Sequence, residues 1–228
     1  MHMLFWSAKG GSGTTTVAVA VALRRSTAMS PALVVDLGGD VFAVLGEPEP
    51  HVTLDDWLLS TAGPAALDAL VASAGPLRIL AVRAPVIAPD GRWHELSSWL
   101  AAQPNGSVVV DLGLPCAANA KAFEILRQDA FSVLVIRPCY LAARRAVQQH
   151  YRPDGVVVVS EEGRSLDAAD IESAIGAPVI AEVEIDPAIA RAVDAGALGN
   201  RLPRLLSRRL RSLWAGPMPL PVGAKTSR

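Results

Sequence analysis

Ser7-Ala8-Lys9-Gly10-Gly11-Ser12-Gly13-Thr14-Thr15-Thr16 stands between one apolar run, Met3 to Trp6, and a second, Val17-Ala18-Val19-Ala20-Val21-Ala22-Leu23. The order is strand, glycine-rich turn, helix. Glycines let a backbone turn tightly and present successive N–H groups to an anion, and the helix that follows adds the positive end of its dipole. Such a turn cradles a phosphate. Measured against the pattern G-x-x-x-x-G-K-[ST], Ala8 takes the first glycine position, Gly13 the second, Thr14 the lysine position and Thr15 the hydroxyl position. The cradle is present and one positive charge is missing. A strand-to-helix turn that binds nothing is the competing reading, and Thr14 keeps it open.

Outward from the loop, short β-branched runs alternate with amphipathic segments. Strands are predicted over Met3 to Trp6, Ala32 to Asp36, Leu77 to Val82, Ser107 to Asp111, Ser132 to Ile136, Gly155 to Ser160 and Pro178 to Val183. Helices are predicted to begin near Thr15, Thr53, Pro64, Arg92, Ala117, Leu141, Leu166 and Pro187. Strands that are apolar on both faces and separated by helices belong to parallel sheets covered on both sides. The fold class is therefore α/β: a doubly wound, mainly parallel sheet flanked by helices, a Rossmann-like three-layer sandwich with one domain favoured. Ligands of such sheets sit beyond the carboxyl ends of the strands, where the glycine loop lies.

Composition agrees. Of the 228 residues 51% are hydrophobic and 19% charged, the balance of a folded globular chain. The apolar runs fall far short of the ~20 residues that span a bilayer, no leader pattern precedes the first strand, and a cytoplasmic location is expected. Cys116 and Cys139 stand apart and the four histidines are scattered, so no zinc or iron–sulfur spacing is present. The histidines are read as surface or packing residues, Trp57 and Trp99 as core.

Two further strand ends carry aspartates: Val34-Val35-Asp36-Leu37-Gly38-Gly39-Asp40 and Val108-Val109-Val110-Asp111-Leu112-Gly113. An aspartate closing an apolar strand beside a phosphate loop can hold Mg²⁺, a cation that takes hard oxygen ligands and keeps part of its water. The alternative is that each aspartate only caps the turn after it. Both readings stand at this point.

Lys9-Gly10-Gly11 with Gly13, Thr15 and Thr16 resembles the deviant Walker A loop of the ParA/MinD family of P-loop ATPases, and departs from it at Thr14. The resemblance implies ATP and Mg²⁺ as ligands. It implies that Lys9 reaches a nucleotide phosphate across a dimer interface, and that Gly10, Gly11, Ser12, Gly13, Thr14, Thr15 and Thr16 cradle the phosphates. Asp111 resembles the Walker B aspartate, which with Thr15 would hold the metal. Asp36 resembles the first aspartate of the family's switch region. The second, which positions the attacking water, is replaced by Gly38, with Asp40 two residues further on. Val183-Glu184-Ile185-Asp186-Pro187-Ala188 resembles the late loop against the nucleotide base, although Asp186 as cap and Pro187 in the first turn also suit a plain helix start.

The family resemblance implies a switch that dimerises with ATP and positions cellular machinery or cargo. An inactive scaffold for localisation or assembly, as in pilus systems, is the alternative, and a small-molecule ligase or kinase on the same fold a third reading. Residues 201–228 hold seven basic side chains and no acidic one, leaving 14 basic against 22 acidic before them. Leu202, Leu205, Leu206, Leu210, Leu213 and Trp214 recur at helical spacing among Arg204, Arg208, Arg209 and Arg211. A P-loop domain over 1–200, a basic amphipathic helix over 201–214 and a flexible tail over 215–228 are expected. The helix packs on the core or meets a membrane surface or DNA, with a homodimer and a protein partner as the implied assemblies. Arg144-Arg145 is read first as a solvated face, with an acidic-partner contact or part of a DNA patch as the alternatives.

Overall fold

A computed structural model describes residues 2–104, 107–199, 202 and 204–213. Strand β1 (His2–Trp6) leads through the glycine loop into α1 (Thr14–Arg25), and β2 (Ala32–Asp36) leads into α2 (Val41–Leu45), α3 (Leu54–Leu58) and α4 (Leu67–Leu70). A short β3 (Ala72–Ala74) turns back into β4 (Leu77–Ala81), followed by α5 (Asp90–Ala101) and β5 (Val108–Gly113). The alternation continues with α6 (Ala120–Leu126), β6 (Ala130–Ile136), α7 (Tyr140–Gln148), β7 (Gly155–Ser160), α8 (Ala168–Ile175), β8 (Val179–Glu184), α9 (Pro187–Asp194) and α10 (Arg204–Arg209).

The eight strands form one sheet in the order β3-β4-β2-β5-β1-β6-β7-β8, parallel except for the β3–β4 pair. The glycine loop therefore leaves the centre of the sheet, between β5 and β6. Alternation along each strand sorts its side chains to two faces. Leu4, Trp6, Leu33, Val35, Val110, Leu134 and Val158 pack on one side with Trp57, Trp93, Leu96 and Phe123 of the helices. Met3, Phe5, Val34, Val109, Val133 and Val157 pack on the other with α1, α2, Leu206 and Leu210. Helix α1 is buried from Val17 to Ala22, as its continuous Val-Ala run requires.

All seven predicted strands are present, with ends shifted by up to two residues. The structure adds β3, whose Ala-Ser-Ala is too short and too small to signal a strand, and α2, a helix of five residues. The sixth helix begins at Ala120, three residues later than expected, because the Asn119 side chain accepts from the Cys116 N–H at 2.7 Å and donates to the Leu112 and Leu114 carbonyls. His2 is a packing residue: it is 3% exposed, pairs with Ala130 in β6 and sets Nε2 3.1 Å from the Leu126 carbonyl. Burial depresses its pKa to about 4. Trp57 is core, whereas Trp99 is half-buried and donates from its indole to Asp68 at 3.3 Å; the fully buried tryptophan of that helix is Trp93. No helix among the described residues is long and apolar enough to cross a membrane.

Candidate phosphate and metal site

The glycine loop is built to expose its amides. Gly11 and Gly13 have φ of 75° and 88°, the left-handed region that residues with a Cβ avoid. Gly13 is the N-cap of α1 and offers no side-chain cap, and the first turn of α1 contains no acidic residue. The first amides of that helix have no partner within it and are left for a ligand. Ser12 donates from Oγ to the Lys9 carbonyl at 2.7 Å, which closes the loop on itself. Gly10 through Thr16 line a cavity of about 690 Å³, shared with Gly38 and Asp40 from the second strand end, Gly113 from the third and Asp194 of α9. Among the described residues no lysine or arginine lines this cavity. Lys9 is half-buried and lies outside its lining.

Asp36 ends β2 and Asp111 stands two residues before the end of β5, the two paired in register. Asp36 is 1% exposed and its carboxylate is saturated by backbone: Oδ1 accepts from Gly38 N–H (3.0 Å) and Gly39 N–H (2.8 Å), Oδ2 from Val41 N–H (2.8 Å). It fixes the turn that leads into α2. Gly39 is confined to glycine, because φ is 89° and a Cβ would come within 2.9 Å of the Arg83 carbonyl oxygen. Asp111 is fully buried, accepts from the Gly113 N–H through Oδ1 at 3.0 Å, and leaves Oδ2 with no hydrogen-bond partner.

Desolvation raises both acids, Asp36 to about 6 and Asp111 to about 7. For Asp111 the neighbouring Asp36 charge adds to burial, while the Thr15 hydroxyl and the Gly113 amide pull the other way. A buried carboxylate oxygen with no donor is costly unless something positive meets it. The Thr15 hydroxyl acts on the same carboxylate, and a hydroxyl with a carboxylate is the kind of oxygen pair that Mg²⁺ accepts. Among the described residues no group of three or more His, Cys, Asp or Glu side chains could hold a metal. A cation here would therefore rest on Thr15, Asp111, water and ligand oxygens, the sparse protein ligation usual for Mg²⁺ beside phosphates.

Asp40 is exposed, lines the same cavity and stands as N-cap of α2 without a side-chain cap bond. Asp186 and Pro187 lie elsewhere. They open α9, where Asp186 Oδ1 accepts from the Ala188 N–H at 2.6 Å and Pro187 takes the first helical position. Asp186 lines a second cavity of about 440 Å³ that runs along the other side of Gly11, Ser12, Gly13 and Thr16, with apolar walls from Val159, Val183, Ile189 and Leu206. The loop, Thr15 and Asp40 thus share one cavity, Asp111 is buried outside its lining and interacts with Thr15, and Asp186 lines the second cavity. Sequence reading did not identify Arg137 and Asp194 as site residues. Asp194 carries no local signal, and Arg137 stands in the proline turn that follows the Ser132 to Ile136 strand.

The basic segment is seen over Leu202 and Arg204 to Leu213, while Arg201, Pro203, Trp214 and residues 215–228 lie outside the described residues. Helix α10 is followed by a 3-10 turn at Arg211–Leu213. Leu206, Leu210 and Leu213 are buried in the core on the α1 side, and Arg204, Arg208, Arg209 and Arg211 are exposed. The Arg25 guanidinium donates to the Leu213 carbonyl at 2.7 Å, and Arg209 pairs with Glu184 at 2.5 Å. Arg144 and Arg145 are both exposed on α7.

No family model matches this sequence, and no curated protein matches it significantly. Solved structures do. MinD from Aquifex aeolicus superposes with a TM-score of 0.74 over 96% of this chain and 99% of its own, at 16% identity. A ParA family ATPase from Chlorobium tepidum TLS gives 0.72 over 94% and 99%, at 19% identity. MinD of Pyrococcus horikoshii OT3, solved with Mg-ADP, gives 0.71 over 94% and 95%, at 18% identity. At these identities the likeness is one of architecture, and over nearly its whole length the chain has the ParA/MinD-like P-loop ATPase fold.

Proposed function

We propose that this protein is a nucleotide-binding switch that dimerises with Mg·ATP and positions cellular machinery or cargo, with hydrolysis weak or dependent on a partner. One observation carries the reading: Asp111 is buried with its Oδ2 unpartnered, and its carboxylate interacts with Thr15 at the head of an uncapped, glycine-led helix. Gly10 to Gly13 and the first amides of α1 would hold the phosphates, with Thr14 and Thr16 in the same turn. Thr15 and Asp111 would hold Mg²⁺, which when bound neutralises charge on the phosphate oxygens. Lys9, outside the cavity of its own chain, is placed by this reading across the dimer interface on the partner's nucleotide. Asp40 would orient water, and Asp186 and Pro187 would border the base.

The scaffold alternative draws on a different observation. Asp36 is engaged by three backbone amides, and Gly38 stands where the water-positioning carboxylate is expected. A site of this kind binds and dimerises more readily than it turns over. Residues 1–200 form the P-loop unit in this reading, with 201–214 docked on it and 215–228 as a tail. Because Leu206, Leu210 and Leu213 are buried, the segment would meet lipid headgroups or DNA through its exposed arginines and not through its apolar face.

Light scattering with and without Mg·ATP, with phosphate release followed in the same samples, tests this. A dimer with slow turnover is the expected result, and a dimer without turnover selects the scaffold. A monomer that ignores Mg·ATP removes the proposal.

A further inference from the structure

A phosphate site without its head lysine still has to meet the charge of its ligand. Two cavities flank the Gly11–Gly13 backbone. Among the described residues the first is lined by no cationic side chain and the second by one, Arg137. The position follows from the sheet. Trp6 at the end of β1 pairs with Leu134 of β6, and Arg137, one residue past the end of β6, lines the second cavity together with Gly11, Ser12 and Gly13.

Arg137 is also underused. Its Nε is buried with no hydrogen-bond partner. Glu161, whose carboxylate feels the Arg137 charge, is already gripped by Nε and Nη2 of Arg164. Of the three acids lining the same cavity, Glu184 is paired with Arg209, Asp186 is occupied as a helix cap, and Asp194 at the end of α9 makes no ion pair with Arg137. A guanidinium is permanently charged, carries five donors and fits phosphate oxygens in pairs. Leaving a donor buried and unpaired costs free energy that an anion in the cavity would recover.

We infer that Arg137 is the cis cation of the phosphate site. It donates to phosphate oxygens of the bound nucleotide from the side opposite Asp111 and supplies the charge that Thr14 does not. The inference rests on the nucleotide-binding reading above.

The test is titration of Mg·ADP, Mg·ATP and phosphate-free adenosine against the wild-type chain, Arg137→Ala, Arg137→Lys and the double variant Arg137→Ala/Thr14→Lys, each checked by circular dichroism. Arg137→Ala is expected to weaken both nucleotides about tenfold or more while leaving adenosine binding unchanged. Arg137→Lys should retain most of the affinity. The double variant should recover it, because a lysine at the head of α1 restores the cis charge. Recovery also guards against misfolding, since a collapsed site cannot be rescued from Thr14. Equal losses for adenosine and the nucleotides would make Arg137 a base or sugar contact and overturn the inference, as would wild-type nucleotide affinity in Arg137→Ala. If the wild-type chain binds neither nucleotide, the underlying reading fails and the inference with it.

Discussion

Asp36 and Asp111 lie side by side across β2 and β5, paired in register at the carboxyl edge of the sheet, both buried and put to opposite uses. The first is spent on three backbone amides that shape the turn into α2, while the second keeps one oxygen unpaired. Two carboxylates this close and this dry resist ionising together. Both are held above the usual carboxylate range, Asp36 at about 6 and Asp111 at about 7.

Stability of the metal-free protein should therefore fall as pH rises. Each acid has a folded-state pKa above its unfolded value of 3.8. The folded state thus binds protons more tightly, and the stabilisation is complete below that unfolded value and lost as pH rises through about 6 to 7. Thermal melting at pH 5 and pH 8 without magnesium should give the lower Tm at pH 8. Asp111→Asn should flatten this difference and raise the pH 8 stability by about 1–2 kcal/mol, roughly 2–8 °C. On the proposed function Mg·ADP should raise the Tm of the wild-type chain, and the same variant should lose that stabilisation.

Gly38 and Gly39 should answer oppositely to substitution. A Cβ on Gly38 meets only ordinary contacts, Asp36 Oδ1 at 3.6 Å and Gly113 Cα at 3.7 Å, and its φ is not left-handed, whereas one on Gly39 meets a carbonyl oxygen at 2.9 Å with φ of 89°. Gly39→Ala is expected to cost about 2 kcal/mol or more and to weaken nucleotide binding by displacing Asp40. Gly38→Asp should fold normally and raise the phosphate-release rate, as measured in a coupled assay. An unaltered rate with intact nucleotide binding would count against water positioning at that residue.

Lys9→Ala separates binding within one chain from assembly of two. Lys9 lines neither cavity of its own chain, so removing its charge should leave Mg·ADP affinity within about threefold, about the effect of a single screened charge contact. It should abolish the Mg·ATP-dependent dimer in light scattering. Loss of neither would place Lys9 outside the site.

The backbone contact between Gly46 and Gly196 ties α2, which follows the Asp36 turn, to the end of α9, which lines both cavities. Each has positive φ, 70° and 59°; a Cβ on Gly46 would fall 2.4 Å from the Gly196 carbonyl oxygen and one on Gly196 would fall 2.7 Å from Gly46 Cα. Gly196→Ala should lower Tm by roughly 4–8 °C, the equivalent of about 2 kcal/mol. It should also make the Asp36 turn more susceptible to proteolysis.

Leu206 is 1% exposed and forms part of the second cavity wall from α10. Leu206→Ala should cost about 2–4 kcal/mol and release the basic segment, read as faster amide exchange over residues 204–213 with α1 still protected.

The sequence alone settled what is local. The strand Ala32–Asp36 and the strand Gly155–Ser160 fall at their predicted bounds because a β-branched run ended by a polar or glycine residue is its own boundary. The glycine loop was legible because the strand before it and the Val-Ala helix after it are near neighbours in the chain. Strands apolar on both faces were enough to call for helices on both sides of the sheet. Folding in three dimensions decided the rest. Strand order set β1 between β5 and β6, and only that order brings Asp111 to one side of the loop and Arg137 to the other. Asp36 and Asp111 read alike as residues closing apolar strands. Which of them is saturated depends on whether the following backbone curls under its carboxylate, as Gly38, Gly39 and Val41 do for Asp36. Whether the basic tail leucines face inward was likewise beyond a periodic pattern, because an amphipathic stripe specifies an apolar face and only the packed neighbours on β8 and α1 specify what covers it.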